Sequence, residues 1–232
     1  LAYAGGIKGI ETIGLIRGAW RLNSPTVAME DMVNNGMQLQ GLDTQLYDLR
    51  ESEDFKVWLR DQYPDAYYIP EGGANYMGLM GAMEMISKED QDGYDHIWVA
   101  GGTGTTAAGI LLNAKPNQQI HVVFSLKAPL DSLRELIRNQ LRWMLSDADD
   151  INEMMGRLTV YGDEIWGGYG KADHRLFEMI ANCQNEGLHW DRVYTGKLWW
   201  FLLQQDFSEW RNQKILIIHT GGLQGNRSII SS

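Results

Sequence analysis

From Ile97 to Leu112 the chain reads Ile-Trp-Val-Ala-Gly-Gly-Thr-Gly-Thr-Thr-Ala-Ala-Gly-Ile-Leu-Leu: an apolar run breaks into glycines and hydroxyls, then resumes with helical spacing. Such a junction suits an anion. Gly101, Gly102 and Gly104 let the backbone turn its N–H groups toward one point. The positive end of the following helix faces the same point, and Thr103, Thr105 and Thr106 add hydroxyl donors. Gly102-Thr103-Gly104-Thr105-Thr106-Ala107 fits the loose dinucleotide pattern GxGxxG/A, but the acidic residue expected at the end of the next strand is absent. That strand, Ile120 to Lys127, ends on a base, and Asp131 already lies inside the helix that follows. A nucleotide P-loop lacks its Gly-Lys-Ser/Thr. A tight strand-to-helix turn with no ligand is also compatible with these residues.

Other reactive side chains are scattered. Tyr169 is flanked by glycines, which lets its backbone approach a ligand, and Tyr194 stands in Tyr-Thr-Gly-Lys; core packing is the ordinary fate of both rings. Glu71 and Asn75 invite acid–base chemistry, although Asn75 equally suits the start of a helix at about residue 76. The single cysteine, Cys183, sits on an apolar helical pattern that fits a buried, inert thiol and allows no intrachain disulfide. The histidines show no metal-ligand spacing, so no metal is expected.

Further segments extend the pattern from end to end. Thr12-Ile13-Gly14-Leu15-Ile16-Arg17-Gly18, Asn23-Ser24-Pro25-Thr26 and Gly36-Met37-Gln38-Leu39 come first. Tyr68-Ile69-Pro70-Glu71-Gly72-Gly73-Ala74-Asn75 precedes the glycine loop. Gly167-Gly168-Tyr169-Gly170, Asp191-Arg192-Val193-Tyr194-Thr195-Gly196-Lys197 and His219-Thr220-Gly221-Gly222-Leu223 follow it. In this order and spacing the chain resembles the pyridoxal-phosphate (PLP) enzymes of the 1-aminocyclopropane-1-carboxylate (ACC) deaminase and D-cysteine desulfhydrase family.

The resemblance implies PLP as cofactor, with Gly102, Thr103, Gly104, Thr105 and Thr106 holding its phosphate and Thr195 facing its pyridine nitrogen. It places Tyr169 and Tyr194 as catalytic candidates, and Thr220, Gly221 and Asn75 in the substrate pocket. The deaminases carry Glu at the position of Thr195 and usually Leu at that of Thr220, so both threonines point to the desulfhydrase side. The implied reaction is β-elimination on a small amino acid, D-cysteine giving pyruvate, sulfide and ammonia; ACC deamination is the alternative. The family's Schiff-base lysine and its Gly-Gly-x-x-Ser-Asn-His loop precede the segment that corresponds to Leu1, and neither occurs in these 232 residues. The resemblance therefore implies that roughly the first quarter of the family's layout is missing. A non-catalytic, truncated homologue is the third reading. No lysine present takes the missing role: Lys8 and Lys127 read as surface residues, and Lys197 belongs to its motif.

The elements that must hold these residues alternate. Apolar strand candidates fall near residues 11–16, 38–42, 66–69, 96–100, 120–126, 158–161 and 214–219. Helical patterns fill about 25–35, 51–61, 75–88, 105–113, 130–146, 172–187 and 197–209. This is an α/β chain with mostly parallel sheets. By resemblance it takes the tryptophan-synthase-β-like, type II PLP fold in two domains: residues 1–66 as the remainder of the small domain, and 67–232 as the large PLP-binding domain. The tryptophans, Trp199 and Trp200 included, read as helix–sheet or subunit contacts. A net charge of −10 without a basic stripe argues against nucleic acid. The apolar runs are too short for a bilayer and no signal peptide opens the chain, so a cytoplasmic protein is expected. A homodimer is the expected assembly, with a small amino acid as the only other partner.

Overall fold

The computed structural model describes residues 1–162 and 170–229. It divides into two compact units: Leu1–Tyr68 with the described residues from Gln224 on, and Ile69–Leu223. The end of the chain thus groups with the first unit, whereas the sequence places it with the second.

In the first unit, α1 (Ala2–Lys8) precedes β1 (Ile13–Arg17), α2 (Val27–Asn34), β2 (Gln38–Leu42), α3 (Thr44–Asp48) and α4 (Glu53–Gln62). β1 and β2 pair in parallel, from Ile13 opposite Gln38 to Arg17 opposite Leu42. Thr26 accepts from the Met29 N–H and Ser52 from the Phe55 N–H, so α2 and α4 both begin on capped turns. Leu42, Phe55 and Leu59 form the small core, with Tyr68 edge-on to Phe55 at 6.1 Å. The segment 66–69, expected as a strand, is not one: it is irregular chain at the boundary of the two units, and Tyr68 packs in the aromatic cluster instead.

The second unit carries α5 (Tyr76–Met83), α6 (Lys88–Gly93), β3 (His96–Gly101), α7 (Thr105–Asn113), β4 (Gln119–Phe124), α8 (Leu130–Leu141), α9 (Ala148–Gly156), β5 (Leu158–Tyr161), α10 (His174–Asn185), α11 (Thr195–Leu203) and β6 (Ile215–Ile218). Its sheet runs β5-β4-β3-β6, and every pairing is parallel. Strand alternation sorts the core into two layers. Ile97, Val99, Ile120 and Val122 face Leu79 of α5 and the buried sides of α7, α8 and α9. Trp98, Ala100 and Val123 face Leu198 and Leu202 of α11. A central strand covered on both faces explains why β3 is buried at every position.

Several helices differ from the sequence expectation: α3 falls outside the expected helices, α11 begins at Thr195 and ends at Leu203 instead of spanning 197–209, and two further differences have a physical reason. The pattern over 75–88 is broken in the middle, because Asn113 donates to the carbonyls of Met83 and Ile86 and so satisfies the turn after α5; a Ser87–Asp90 capping box then starts α6. α9 has no counterpart among the expected helices, its apolar side being only Ile151, Met154 and Met155 behind an Asp147 cap. Cys183 is half-buried, with its sulfur 3.6 Å from Met179 Sδ.

α7 is locked in place. Gly109 has no room for a side chain, since a Cβ there would stand 2.5 Å from Ala82 Cβ. At the other end, the buried Arg157 guanidinium donates to the carbonyls of Leu111, Ala114 and Lys115, closing the helix C-terminus with a cation. Gly109→Val should destabilise the protein by about 1–3 kcal/mol through overpacking between α5 and α7; an unshifted urea midpoint would contradict that packing.

A polar chain crosses the aromatic layer. Tyr161 donates to His121 Nδ1 (3.1 Å), His121 Nε2 lies 2.9 Å from His96 Nδ1, and His96 Nε2 reaches Gln213 Oε1. With both rings in the neutral form and Gln213 Oε1 accepting, the chain runs one way: each ring carries its proton on Nε2 and accepts on Nδ1. Trp98 stacks on His121 at 4.4 Å and Trp210 on His96 at 3.9 Å. Burial, with the neighbouring His96, lowers His121 from 6.5 to about 4. The unfolded chain therefore binds a proton that the folded one refuses. Stability should be independent of this group above pH 6.5, fall as pH drops from 6.5 to about 4, and level off below. Thermal melts of His121→Gln should lose that part of the slope.

Candidate functional site

The carboxyl end of β3 runs into the glycine loop. Ser125 N–H donates to Gly101 carbonyl (3.0 Å), which is the last rung between β3 and β4. Gly104 then takes φ +85, a left-handed turn in which a Cβ would meet Ile137 at 2.9 Å. The buried Gln140 amide donates to the Thr103 carbonyl (2.8 Å) and holds that oxygen toward α8. The first intrahelical bond runs from Ala108 N–H to Gly104 carbonyl. Among the described residues, the N–H groups of Gly102, Thr103, Gly104, Thr105 and Thr106 find no protein acceptor. The Ser125 hydroxyl at the end of β4 is buried and has no partner either.

Two neighbouring turns reach this loop. A Cβ on Gly72 would lie 2.4 Å from Thr103 Oγ1, so the Glu71–Gly73 turn packs directly on the loop. Asn75 caps α5, its Oδ1 accepting from Gly78 N–H at 2.8 Å. On the other side, the Tyr194 phenol lies over Gly102, where a Cβ would stand 3.0 Å from the ring and 3.1 Å from the hydroxyl oxygen.

The turn before α11 is organised by a residue with no role in the sequence expectations. Asp191, 1% exposed, accepts from the N–H groups of Val193 (2.8 Å), Tyr194 (2.8 Å) and Thr195 (2.7 Å), and from the Thr195 hydroxyl. Thr195 Oγ1 accepts in return from Asp191 N–H at 3.0 Å. Thr195 is thus wholly buried with its proton committed. Lys197 is equally buried, with Nζ 3.4 Å from the Ser125 carbonyl, and burial lowers it to about 8 although the Asp191 charge acts the other way.

The turn after β6 closes the site. His219 donates from Nε2 to His189 carbonyl (2.7 Å), and Gly221 N–H donates to His219 Nδ1 (3.1 Å). Gly221 and Gly222 follow with φ +88 and +93. A Cβ on Gly222 would stand 3.1 Å from Asp191 Cγ, and Thr220 is exposed beside it. The loop residues 102–106, Tyr194, Thr195 and Gly221 thus gather at the carboxyl edge of one parallel sheet, where open α/β folds bind ligands. Tyr169 lies outside the described residues. Asp191 was legible as a capping residue four positions ahead of Thr195, whereas Ser125 and Gln140 carried no local signal.

Sequence comparison finds matching relatives over most of the chain. It is 30% identical over 205 residues to a candidate ACC deaminase of Pyrococcus horikoshii, covering 81% of this chain and 61% of that protein. It is also 30% identical to the bifunctional mitochondrial D-cysteine desulfhydrase/ACC deaminase of Arabidopsis thaliana, over 68% of this chain and 42% of that one. A solved ACC deaminase homologue superposes with a TM-score of 0.69 at 24% identity, covering 96% of this chain and 69% of the other. The chain belongs to the ACC deaminase and D-cysteine desulfhydrase family.

Its fold is that of the type II PLP enzymes, the class that also includes the serine racemase of Dictyostelium discoideum, which superposes with a TM-score of 0.55 at 15% identity. No established family profile matches the chain. The chain spans less than two thirds of the length of these curated family members. Among the described residues no helix is long and apolar enough to cross a membrane. Gly104→Ala should cost about 1–2 kcal/mol, because alanine disfavours the left-handed turn that starts α7; chemical denaturation of the variant measures it, and an unchanged midpoint would remove the argument for that turn.

Proposed function

We propose that this region binds the phosphate of PLP on the loop Gly102–Thr106 and serves a lyase acting on a small amino acid, D-cysteine in the first instance. The observation that carries the reading is the set of backbone amides at the start of α7 with no protein acceptor among the described residues. The residues present fit such a group: the amides and the partnerless Ser125 hydroxyl supply donors, and Gly102 leaves a surface that a side chain would fill. When bound, the pyridine ring withdraws electrons from the substrate's α-carbon. The chain's own groups would do the rest. Thr103, Thr105 and Thr106 complete the anion site, Tyr194 covers the loop at Gly102, and Thr195 presents a neutral side chain whose proton is held by Asp191. Thr220, Gly221 and Asn75 would border the substrate. Thr195 and Thr220 support D-cysteine elimination with sulfide as leaving group.

ACC deamination is the second reading, favoured by the names of the archaeal relatives. Titrating the purified protein with PLP and following tryptophan fluorescence tests the cofactor. Thr106→Val should weaken binding about tenfold by removing one hydrogen bond to a charged phosphate, and equal affinities would take Thr106 out of the site. Sulfide release from D-cysteine and 2-oxobutanoate release from ACC, assayed on one preparation that carries the family's Schiff-base lysine, order the two substrates: D-cysteine should turn over faster, and faster ACC turnover would make deamination the first reading.

A further inference from the structure

The residue immediately before α11 is the place where Ser, Thr, Asp or Asn normally caps a helix, and here it is Tyr194, whose side chain makes no cap hydrogen bond. The capping task is carried out from a distance. Asp191 reaches over the intervening residues and takes the N–H groups of Val193, Tyr194 and Thr195 together with the Thr195 hydroxyl. An ordinary cap satisfies one such N–H. Moving the cap back by three positions frees residue 194 for a large ring, and that ring rests on Gly102. The same turn is held by two further contacts, the second of which ties it to the end of the sheet. Gly196 N–H donates to the Asp191 carbonyl (2.7 Å), and one residue on, Lys197 Nζ approaches the carbonyl of Ser125, whose own N–H is bonded to Gly101. The contacts form a closed circuit: Asp191, the first turn of α11, Lys197, Ser125, Gly101, Gly102 and back to Tyr194. Gly222 borders it at the end of β6, where any side chain would press on the Asp191 carboxylate.

We propose that Asp191 is a positioning residue, which with Lys197 fixes the first turn of α11 so that the Tyr194 phenol is held against Gly102 at the anion loop. Its functional meaning rests on the reading of that loop as the PLP phosphate site. Asp191 and Lys197 act through Tyr194, without touching substrate or cofactor themselves.

The test is a double-mutant cycle of Asp191→Asn and Tyr194→Leu in the purified protein, read in two independent ways. The NMR signals of the Gly102 amide and α-protons lie within the ring current of Tyr194 in the wild type. They should move to similar positions in Asp191→Asn and in Tyr194→Leu. PLP affinity should fall about tenfold in each single variant and no further in the double, since coupled sites are non-additive. Asp191→Asn that loses melting temperature but leaves the Gly102 signals in place would overturn the proposal, as would additive losses of affinity. If Asp191→Asn does not fold, Thr195→Val removes only the hydroxyl that donates to Asp191; it should shift the same Gly102 signals by a smaller amount, and unmoved signals overturn the proposal. Wild-type protein that ignores PLP defeats the cofactor reading alone, because the Gly102 signals still decide whether Asp191 positions Tyr194.

Discussion

α7 can leave its first turn open only because the rest of the helix is held by other means. The amides from Gly102 to Thr106, in the loop and at the start of the helix, lack protein acceptors among the described residues, which is unfavourable unless the site can be solvated or filled. The compensation lies elsewhere in the same helix. Gly109 allows α5 to approach closely, Ile110 and Leu111 are wholly buried, and Arg157 satisfies the carbonyls at the far end. Gln140 holds the Thr103 carbonyl of the loop toward α8. On the reading proposed above, an anion would meet these donors without having to displace a protein acceptor.

The parallel order β5-β4-β3-β6 supplies the rest of the geometry. Every strand ends at the same edge, so the turns after β3, β4 and β6 are neighbours although more than a hundred residues separate Gly102 from Gly221. The two faces of the sheet do different work. One carries the aliphatic core under α7 and α8, and the other carries the aromatic layer with its His96–His121–Tyr161 chain. That chain begins at the first residue of β3 and ends at the last residue of β5, so a polar path crosses the sheet from one edge toward the other inside an otherwise apolar layer. Its cost is limited because every imidazole nitrogen in it has a partner.

How far the sequence could be read follows from the range of each signal. The strand–glycine–helix junction at 97–112 and the Asn75 cap are local, and both are where the residues place them. The break between α5 and α6 was not legible, because it depends on Asn113, which is remote in sequence from the carbonyls it satisfies. α9 escapes a sequence reading because a short helix with a three-residue apolar side has almost no periodicity to detect. The strand expected at 66–69 has the composition of one, but a strand needs a neighbour, and composition says nothing of where the chain passes from one unit to the next.

Thr195 shows the limit most clearly. Read by resemblance, it is a neutral side chain in a place where a deaminase is expected to carry a carboxylate. In the fold it is also part of the turn: its hydroxyl donates to Asp191 and accepts from the Asp191 backbone, and no part of it is exposed. A substitution that removes the hydroxyl disturbs the cap of α11, and a carboxylate placed there would change the charge near the anion loop as well. A change in activity at this position is consequently evidence about chemistry only when measured per folded molecule and compared with a variant that disturbs the cap while leaving Thr195 in place. Asp191 supplies that comparison, since it shares the turn with Thr195 and carries the charge that holds it.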